Sequence, residues 1–339
     1  METSQQILIV GPSWVGDMIM AQSLFKKLKQ RTPNNVISVL APKWTHPILT
    51  RMPEVSTTQV MPVGHGSLGL SVRYKLAKDL KKLHFDQAII LPGSLKSALV
   101  PFLAGIPRRT AYLGEQRYGL VNDIHKLDKS RLPTTVQRFV NLSGESLDLA
   151  DCPVPELICD ADQANLVAQQ FGYVESEQSA LLILCPGAEY GPAKRWPIQR
   201  FAGLAKKRVE QGWQVWLMGS EKDREICDSI NQLAGQCCQN LAGKTNLTQA
   251  IDLMSLANAV VTNDSGLMHL AASLKRPLVA IYGSSSPYMT PPLSSVSCSI
   301  WLKLECAPCF KRHCPLGHLK CLYDIDVAEV DQAIDSLIH

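Results

Sequence analysis

QILIVGPSWVGDMIMAQSLFKKLKQR, residues 6–31, decides the fold. A β-branched and aliphatic run at 6–11 passes through a glycine-bracketed loop into 17–31, where apolar residues recur at helical spacing until Pro33 ends the pattern. A strand that turns through glycines into an amphipathic helix is the first half of a βαβ unit. Working outward, further strands are expected at 36–40, 57–63, 87–91 and 110–113, with helices between them at 43–51, 72–83 and 95–103. Alternation of this kind predicts a parallel sheet covered on both faces.

The stretch 148–162 holds two prolines and several acids with little periodicity, and reads as an interdomain linker. Beyond it the rhythm restarts, with strands expected at 181–185, 214–218, 259–262 and 278–282 and helices at 198–211, 222–233, 247–256 and 267–274. A chain of 339 residues exceeds the size at which one core keeps growing. The expectation is therefore an α/β protein of two Rossmann-like, doubly wound domains facing a cleft. The first spans 1–160 and the second 161–325. A final helix in 326–339 is expected to pack back on the first domain.

With 46% hydrophobic and 19% charged residues, the chain has the balance of a packed globular protein. No basic stretch followed by an apolar segment opens the sequence, and no apolar run approaches the roughly 18–20 residues of a membrane span. A cytoplasmic protein is expected, and its 11 cysteines are then read as reduced thiols. The net charge of +4 is unevenly shared: residues 1–160 hold 19 Lys and Arg against 13 Asp and Glu, the remainder 15 against 17. The excess suggests that the first half meets an anion, although an ordinary solvated surface also explains it.

In open parallel sheets, ligands bind outside the carboxyl ends of the strands. Four loops of that kind stand out. The first, GPSWVGDM at 11–18, is neither a dinucleotide fingerprint nor a P-loop, because an acid follows its second glycine. Asp17 would repel a phosphate there; it either accepts a proton from a hydroxyl or serves the helix start. The second, CPGAEYGPAKRWP at 185–197, sets Lys194 and Arg195 before a helix that Pro197 would open, a candidate diphosphate clamp or a solvated cationic pair. In the third, MGSEKD at 218–223, Asp223 either accepts ribose hydroxyls or completes a capping box with Ser220. The fourth, TNDSGLMH at 262–269, has short polar residues and a glycine, Ser265 and Gly266 among them, that leave backbone amides to point at a phosphate, with Asp264 either an N-cap or a ligand to sugar or nucleotide. His269, one turn into the following helix, either reaches that site or lies in the core.

Together these loops resemble glycosyltransferase family 9, the ADP-heptose lipopolysaccharide heptosyltransferases. Further matching stretches are MPVGHGSL at 61–68, SLKSALVPFLAGIPRRTAYLGEQRYGLVND at 94–123, LAGKTNL at 241–247 and VTNDSGLMHLAASLKRPLVAIYGSSSP at 261–287. The resemblance implies a GT-B fold, an inverting transfer, an ADP-heptose donor on the C-terminal domain and a lipid-linked core acceptor on the N-terminal domain. It implies Asp17 as general base, Lys194 on the donor diphosphate and Asp264 to Gly266 in the donor site. No metal, cofactor or nucleic acid is called for. A monomer with peripheral contact to the cytosolic membrane face is expected, with Lys96, Arg109 and Arg117 meeting the acceptor's carboxylates and phosphates.

Two features stand apart from the resemblance. Cys306-x2-Cys309-x4-Cys314-x6-Cys321, interleaved with His313 and His318, admits a structural metal, unliganded thiols or a disulfide. Asp324-x-Asp326 has the look of a metal-binding pair but directly precedes the last helix, where capping explains it. Against the transferase stand a nucleotide-sugar epimerase on the same scaffold, which would act without acceptor, and a non-catalytic binder, which would leave Asp17 no chemical role. The loop after the first strand, at 11–18, lacks G-x-G-x-x-G, which disfavours a dehydrogenase.

Overall fold

The computed structural model describes residues 4–64, 67–173 and 180–338; His65 and Gly66 of the 61–68 stretch lie outside the described residues. The chain divides into two units, Met1–Pro155 and Glu156–His339. In the first, the order is β1 (Gln6–Val10), α1 (Val15–Arg31), β2 (Val36–Ala41), α2 (His46–Leu49), β3 (Val55–Val60), α3 (Leu70–Lys81), β4 (Gln87–Ile90), α4 (Leu95–Leu103), β5 (Arg108–Tyr112), β6 (Asp123–His125) and α5 (Thr135–Asn141). The second runs α6 (Ala161–Gln170), β7 (Leu181–Cys185), α7 (Ile198–Glu210), β8 (Gln214–Leu217), α8 (Arg224–Leu233), β9 (Gln239–Asn240), α9 (Leu247–Ser255), β10 (Ala259–Asn263), α10 (Gly266–Ser273), β11 (Leu278–Ile281), β12 (Ser297–Ile300), α11 (Lys320–Tyr323) and α12 (Val327–Ile338).

Each unit holds one six-stranded parallel sheet. The orders are β3-β2-β1-β4-β5-β6 and β9-β8-β7-β10-β11-β12. Counted within its own unit, each is 3-2-1-4-5-6, the doubly wound arrangement in which the winding reverses between the first and fourth strands. In the first sheet that reversal lies between β1 and β4, where Ile9 pairs with Ile89. In the second it lies between β7 and β10, where Leu184 pairs with Val261. Both central strands are buried on both faces, which is why they read as continuous apolar runs rather than alternations.

The edges depart from the expectation. β6, β9 and β12 are 3, 2 and 4 residues long and carry polar residues, so they lack the apolar periodicity that marks the central strands. The acid-rich stretch before position 161 ends as a helix start: Asp160 accepts hydrogen bonds from the backbone of Asp162 and Gln163 at the head of α6. The terminal helix makes its main contacts within its own unit. α12 packs on α7, β11 and β12 of the second unit. The buried Arg208 guanidinium of α7 holds it, reaching Asp331 Oδ1 at 2.6 Å and Asp335 at 2.9 Å. Trp196 adds an indole N–H to the carbonyl of Ile325 at 3.1 Å.

Candidate functional site

At the second reversal point, the loops after β7 and β10 are sewn together by Asn263. Its Oδ1 accepts from the Trp196 backbone at 2.9 Å, and its Nδ2 donates to the Pro186 carbonyl at 2.7 Å. That tie brings Lys194 against Asp264, Nζ to Oδ2 2.5 Å, although 70 residues separate them. The Lys194 side chain is 18% exposed and that of Asp264 6%. A cation and an anion in so dry a place attract far more strongly than at the surface. Lys194 also stands 5.3 Å from the Tyr190 ring centroid, whose other neighbour is the Arg312 guanidinium at 5.4 Å.

Ser265 caps α10 without a side-chain bond to the first turn. The first-turn amides are left without that cap and suit a phosphate. His269 lies in the core reading and in the site at once. Burial pushes its imidazole down to about 4, Asp264 opposing and Lys194 assisting, so the ring is neutral beside the ion pair. Arg195 donates to the Ala188 carbonyl at 3.1 Å. Its Nε, and the hydroxyls of Ser284 and Ser285 after β11, are buried without a hydrogen-bond partner among the described residues. Dry polar atoms left unpaired are costly unless a ligand completes them. The sequence reading passed over Ser284 and Ser285, and its only signal was three serines after an apolar strand.

Asp223 forms the capping box: its Oδ2 accepts from the backbone and hydroxyl of Ser220, at 2.9 and 2.7 Å. The same carboxylate lies against Gly187, where a Cβ would come within 2.4 Å of its Cγ and Oδ1. A side chain at 187 would therefore displace the Asp223 carboxylate from its place against the loop after β7.

The cysteine-rich segment braces this site from behind. The Arg312 carbonyl accepts from Ala193 at 3.1 Å, the Phe310 carbonyl from the Tyr190 hydroxyl at 2.6 Å, and Phe310 donates to the Ser284 carbonyl at 2.7 Å. Cys306, Cys309, Cys314 and Cys321 are free thiols around one small cavity with Ala193 and Ser284. Backbone N–H groups, that of Leu319 foremost, pull the Cys314 thiol down, while burial pushes Cys321 up to about 11. Among the described residues no three His, Cys, Asp or Glu side chains gather as a metal site. Asp326 pairs with Arg200 at 2.6 Å, at the threshold of α12.

At the first reversal point, α1 begins two residues earlier than expected, with Trp14 as its extended N-cap. Asp17 is therefore the third helical residue, half-buried, in the first turn where the helix dipole favours a carboxylate. The exposed indoles of Trp14 and Trp44 stand by the loop, and Trp44 is fixed by its N–H to the Ser13 carbonyl at 3.0 Å. Neither had been singled out from the sequence.

The expected acceptor cations behave differently from one another. Arg117 is 1% exposed. Its guanidinium donates to the carbonyls of Leu113 at 3.0 Å, Pro92 at 2.8 Å and Tyr112 at 2.5 Å, and to the Ser97 hydroxyl at 3.0 Å. This corrects the expectation: Arg117 shapes the loop after β4 and has no face left for an acceptor. Arg109 is half-buried, with Nε on the Leu120 carbonyl at 2.7 Å and Nη1 on that of Ile106 at 2.6 Å. Lys96, half-buried at the head of α4, follows the carboxyl end of β4 directly.

Comparison with known proteins agrees with this geometry. The family model "Glycosyltransferase family 9 (heptosyltransferase)" matches residues 73–320. The chain is 45% identical to lipopolysaccharide heptosyltransferase 2 of Escherichia coli strain K12, over 98% of both chains. It is 48% identical to lipooligosaccharide heptosyltransferase 2 of Haemophilus influenzae, over 85% of this chain and 86% of that one. The solved E. coli ADP-heptose LPS heptosyltransferase II superposes with a TM-score of 0.86 at 42% identity, covering 98% of each chain. Two doubly wound units of the GT-B class, a dry lysine–aspartate pair at one reversal point and an acid at the other accompany whole-length likeness, and the chain belongs to glycosyltransferase family 9, the heptosyltransferases.

Proposed function

We propose that this chain is a heptosyltransferase 2, moving L-glycero-D-manno-heptose from ADP-heptose onto the heptosyl-Kdo2-lipid A inner core at the cytosolic membrane face. The whole-length likeness to lipopolysaccharide heptosyltransferase 2 carries the proposal. In this reading the donor diphosphate takes Lys194, Arg195, Ser265, Gly266 and the first amides of α10. Asp264 holds the Lys194 side chain aimed, neutral His269 keeps the floor of the site dry, and Asp223 receives the ribose. Lys96 and Arg109 receive the acceptor, and the indoles of Trp14 and Trp44 offer flat amphipathic walls for its sugars.

Asp17 takes the proton of the attacking acceptor hydroxyl as that oxygen bonds to the anomeric carbon. The bond from that carbon to the β-phosphate oxygen breaks in the same displacement, its electron pair leaves with ADP, and the configuration inverts. Negative charge grows on the diphosphate as the bond breaks. Lys194 and the oriented amides of α10 are preorganised for it, which lowers the barrier without a metal in this mechanism. Residue 17 suits a base because it is a carboxylate at a strand end, and a base within hydrogen-bond reach of the hydroxyl contributes about 10² to 10⁴ in rate.

The test is transfer from ADP-heptose to defined truncated core acceptors, with the new linkage read by NMR. Transfer to a heptosyl-Kdo2 acceptor is expected. Product only on a Kdo2 acceptor lacking heptose would assign the chain to a heptosyltransferase 1 activity, and turnover of donor without acceptor would favour the epimerase.

A further inference from the structure

The first unit carries a surface that packing leaves inverted. α4 presents Leu95, Leu99 and Phe102 at i, i+4 and i+7, one stripe along the helix, with Leu103 beside it. Leu95 is 41% exposed, Phe102 43% and Leu103 38%, whereas Ser97, Ala98, Val100 and Pro101 take the buried side. A helix of a globular protein turns such a stripe inward, so its outward position marks an interaction face. α3 packs beside α4, joined by the Arg73 guanidinium to the Lys96 carbonyl at 3.1 Å. Its buried side is Arg73, Ala77 and Leu80, and its outward side is Lys75, Lys78 and Lys82, with exposed Leu70 and Tyr74 flanking them.

We infer that α3 and α4 form a docking surface for an anionic lipid bilayer. α4 has no acidic residue, though the Glu115 carboxylate accepts from the Leu95 backbone at 2.8 Å, and Asp79 of α3 is paired with Lys82 at 3.0 Å, so the cationic excess of this face lies in exposed Lys75, Lys78 and Lys81. Apolar side chains beside a cationic field are what a helix needs to lie in a headgroup layer, the first entering the acyl boundary and the second meeting lipid phosphates. The same field opposes self-association, since a two-fold pairing of this face would set lysines against lysines. α4 starts at the carboxyl end of β4, beside the loop assigned to the acceptor, so a bilayer held on this stripe brings a lipid-linked acceptor to its loop. The inference thus deepens the proposed function by naming where its lipid partner is met.

Co-sedimentation of the full chain with vesicles, without donor or acceptor, tests it. Binding is expected to vesicles of equal phosphatidylglycerol and phosphatidylcholine and to weaken with added salt. Vesicles of phosphatidylcholine alone should bind far less. Each lysine removed at 75 or 78 should cost about fivefold in partitioning, and the pair Leu95→Ser with Phe102→Ser should abolish it. Turnover on a water-soluble acceptor fragment should stay unchanged in the lysine variants, which separates loss of docking from failure of the transfer reading, and an unchanged melting temperature of the Leu95→Ser, Phe102→Ser variant, whose Phe102 ring lies 5.5 Å from the Arg109 guanidinium, separates it from misfolding. Absence of wild-type binding to the anionic vesicles, or variants that bind as the wild type does, would overturn the inference. So would a concentration-dependent dimer that the Leu95→Ser, Phe102→Ser variant dissolves, since that assigns the face to a second copy.

Discussion

Two reversal points of identical winding hold opposite chemistry. At the second, charge is drawn inside: Lys194 and Asp264 neutralise each other in a nearly dry pocket, with a neutral imidazole beneath them. At the first, Arg117 is buried and committed to main-chain oxygens and the Ser97 hydroxyl, while the acid is half-buried and both tryptophans are exposed. Strand order therefore fixes where a ligand binds and leaves open how it is held. A compact dianion wants a prearranged dry counter-charge; a large, partly lipid acceptor wants an open shelf.

The sharpest way to break this contrast is Asp17→Asn. Turnover should fall by about 10² to 10⁴ while ADP affinity by calorimetry stays within twofold. A variant near wild-type turnover would remove Asp17 from the chemistry. Next, Arg117→Ala should strand several buried carbonyls and cost about 3 kcal/mol, lowering the melting temperature by about 6–12 °C. The acceptor KM of the folded fraction should not move; a raised KM with unchanged melting would restore Arg117 to the binding surface. Lys194→Ala should weaken ADP binding about 10- to 100-fold, as loss of a charged hydrogen bond does. Equal loss in kcat/KM with no change in ADP affinity would instead limit its role to the transition state.

The smallest effect is a pH slope. His269 stays neutral in the folded chain down to about pH 4, whereas the unfolded chain takes that proton near 6.5. Between those values the unfolded state binds more protons, so stability declines as pH falls from 6.5 toward 4. In melting scans across that window, His269→Gln should show a shallower decline than the wild type. Parallel slopes would place the titration elsewhere.

The sequence made the central strands and the four loops legible because burial on both faces writes itself as unbroken aliphatic runs, and glycine or small polar residues must follow where backbone nears a ligand. Edge strands such as Gln239–Asn240 escaped because two residues carry no period. Lys194 and Asp264 were each readable, but their pairing was not: it depends on Asn263, whose role appears only when strands distant in sequence lie side by side. Arg117 was misread for a related reason. In a one-dimensional string a loop cation looks available, and the carbonyls that occupy it come from residues 92 to 113.

Asn263 has a mechanical consequence. Because one face of its amide receives and the other gives, neither loop can swing outward without rupturing a bond in a water-free interior. Lys194 and the first turn of α10 are thereby held as jaws at a preset gauge. In the proposed reading, a cargo whose charged portion is a phosphate too short or too long would meet a rigid caliper rather than a yielding hand, so discrimination among nucleotide carriers would be built in before any of them arrives.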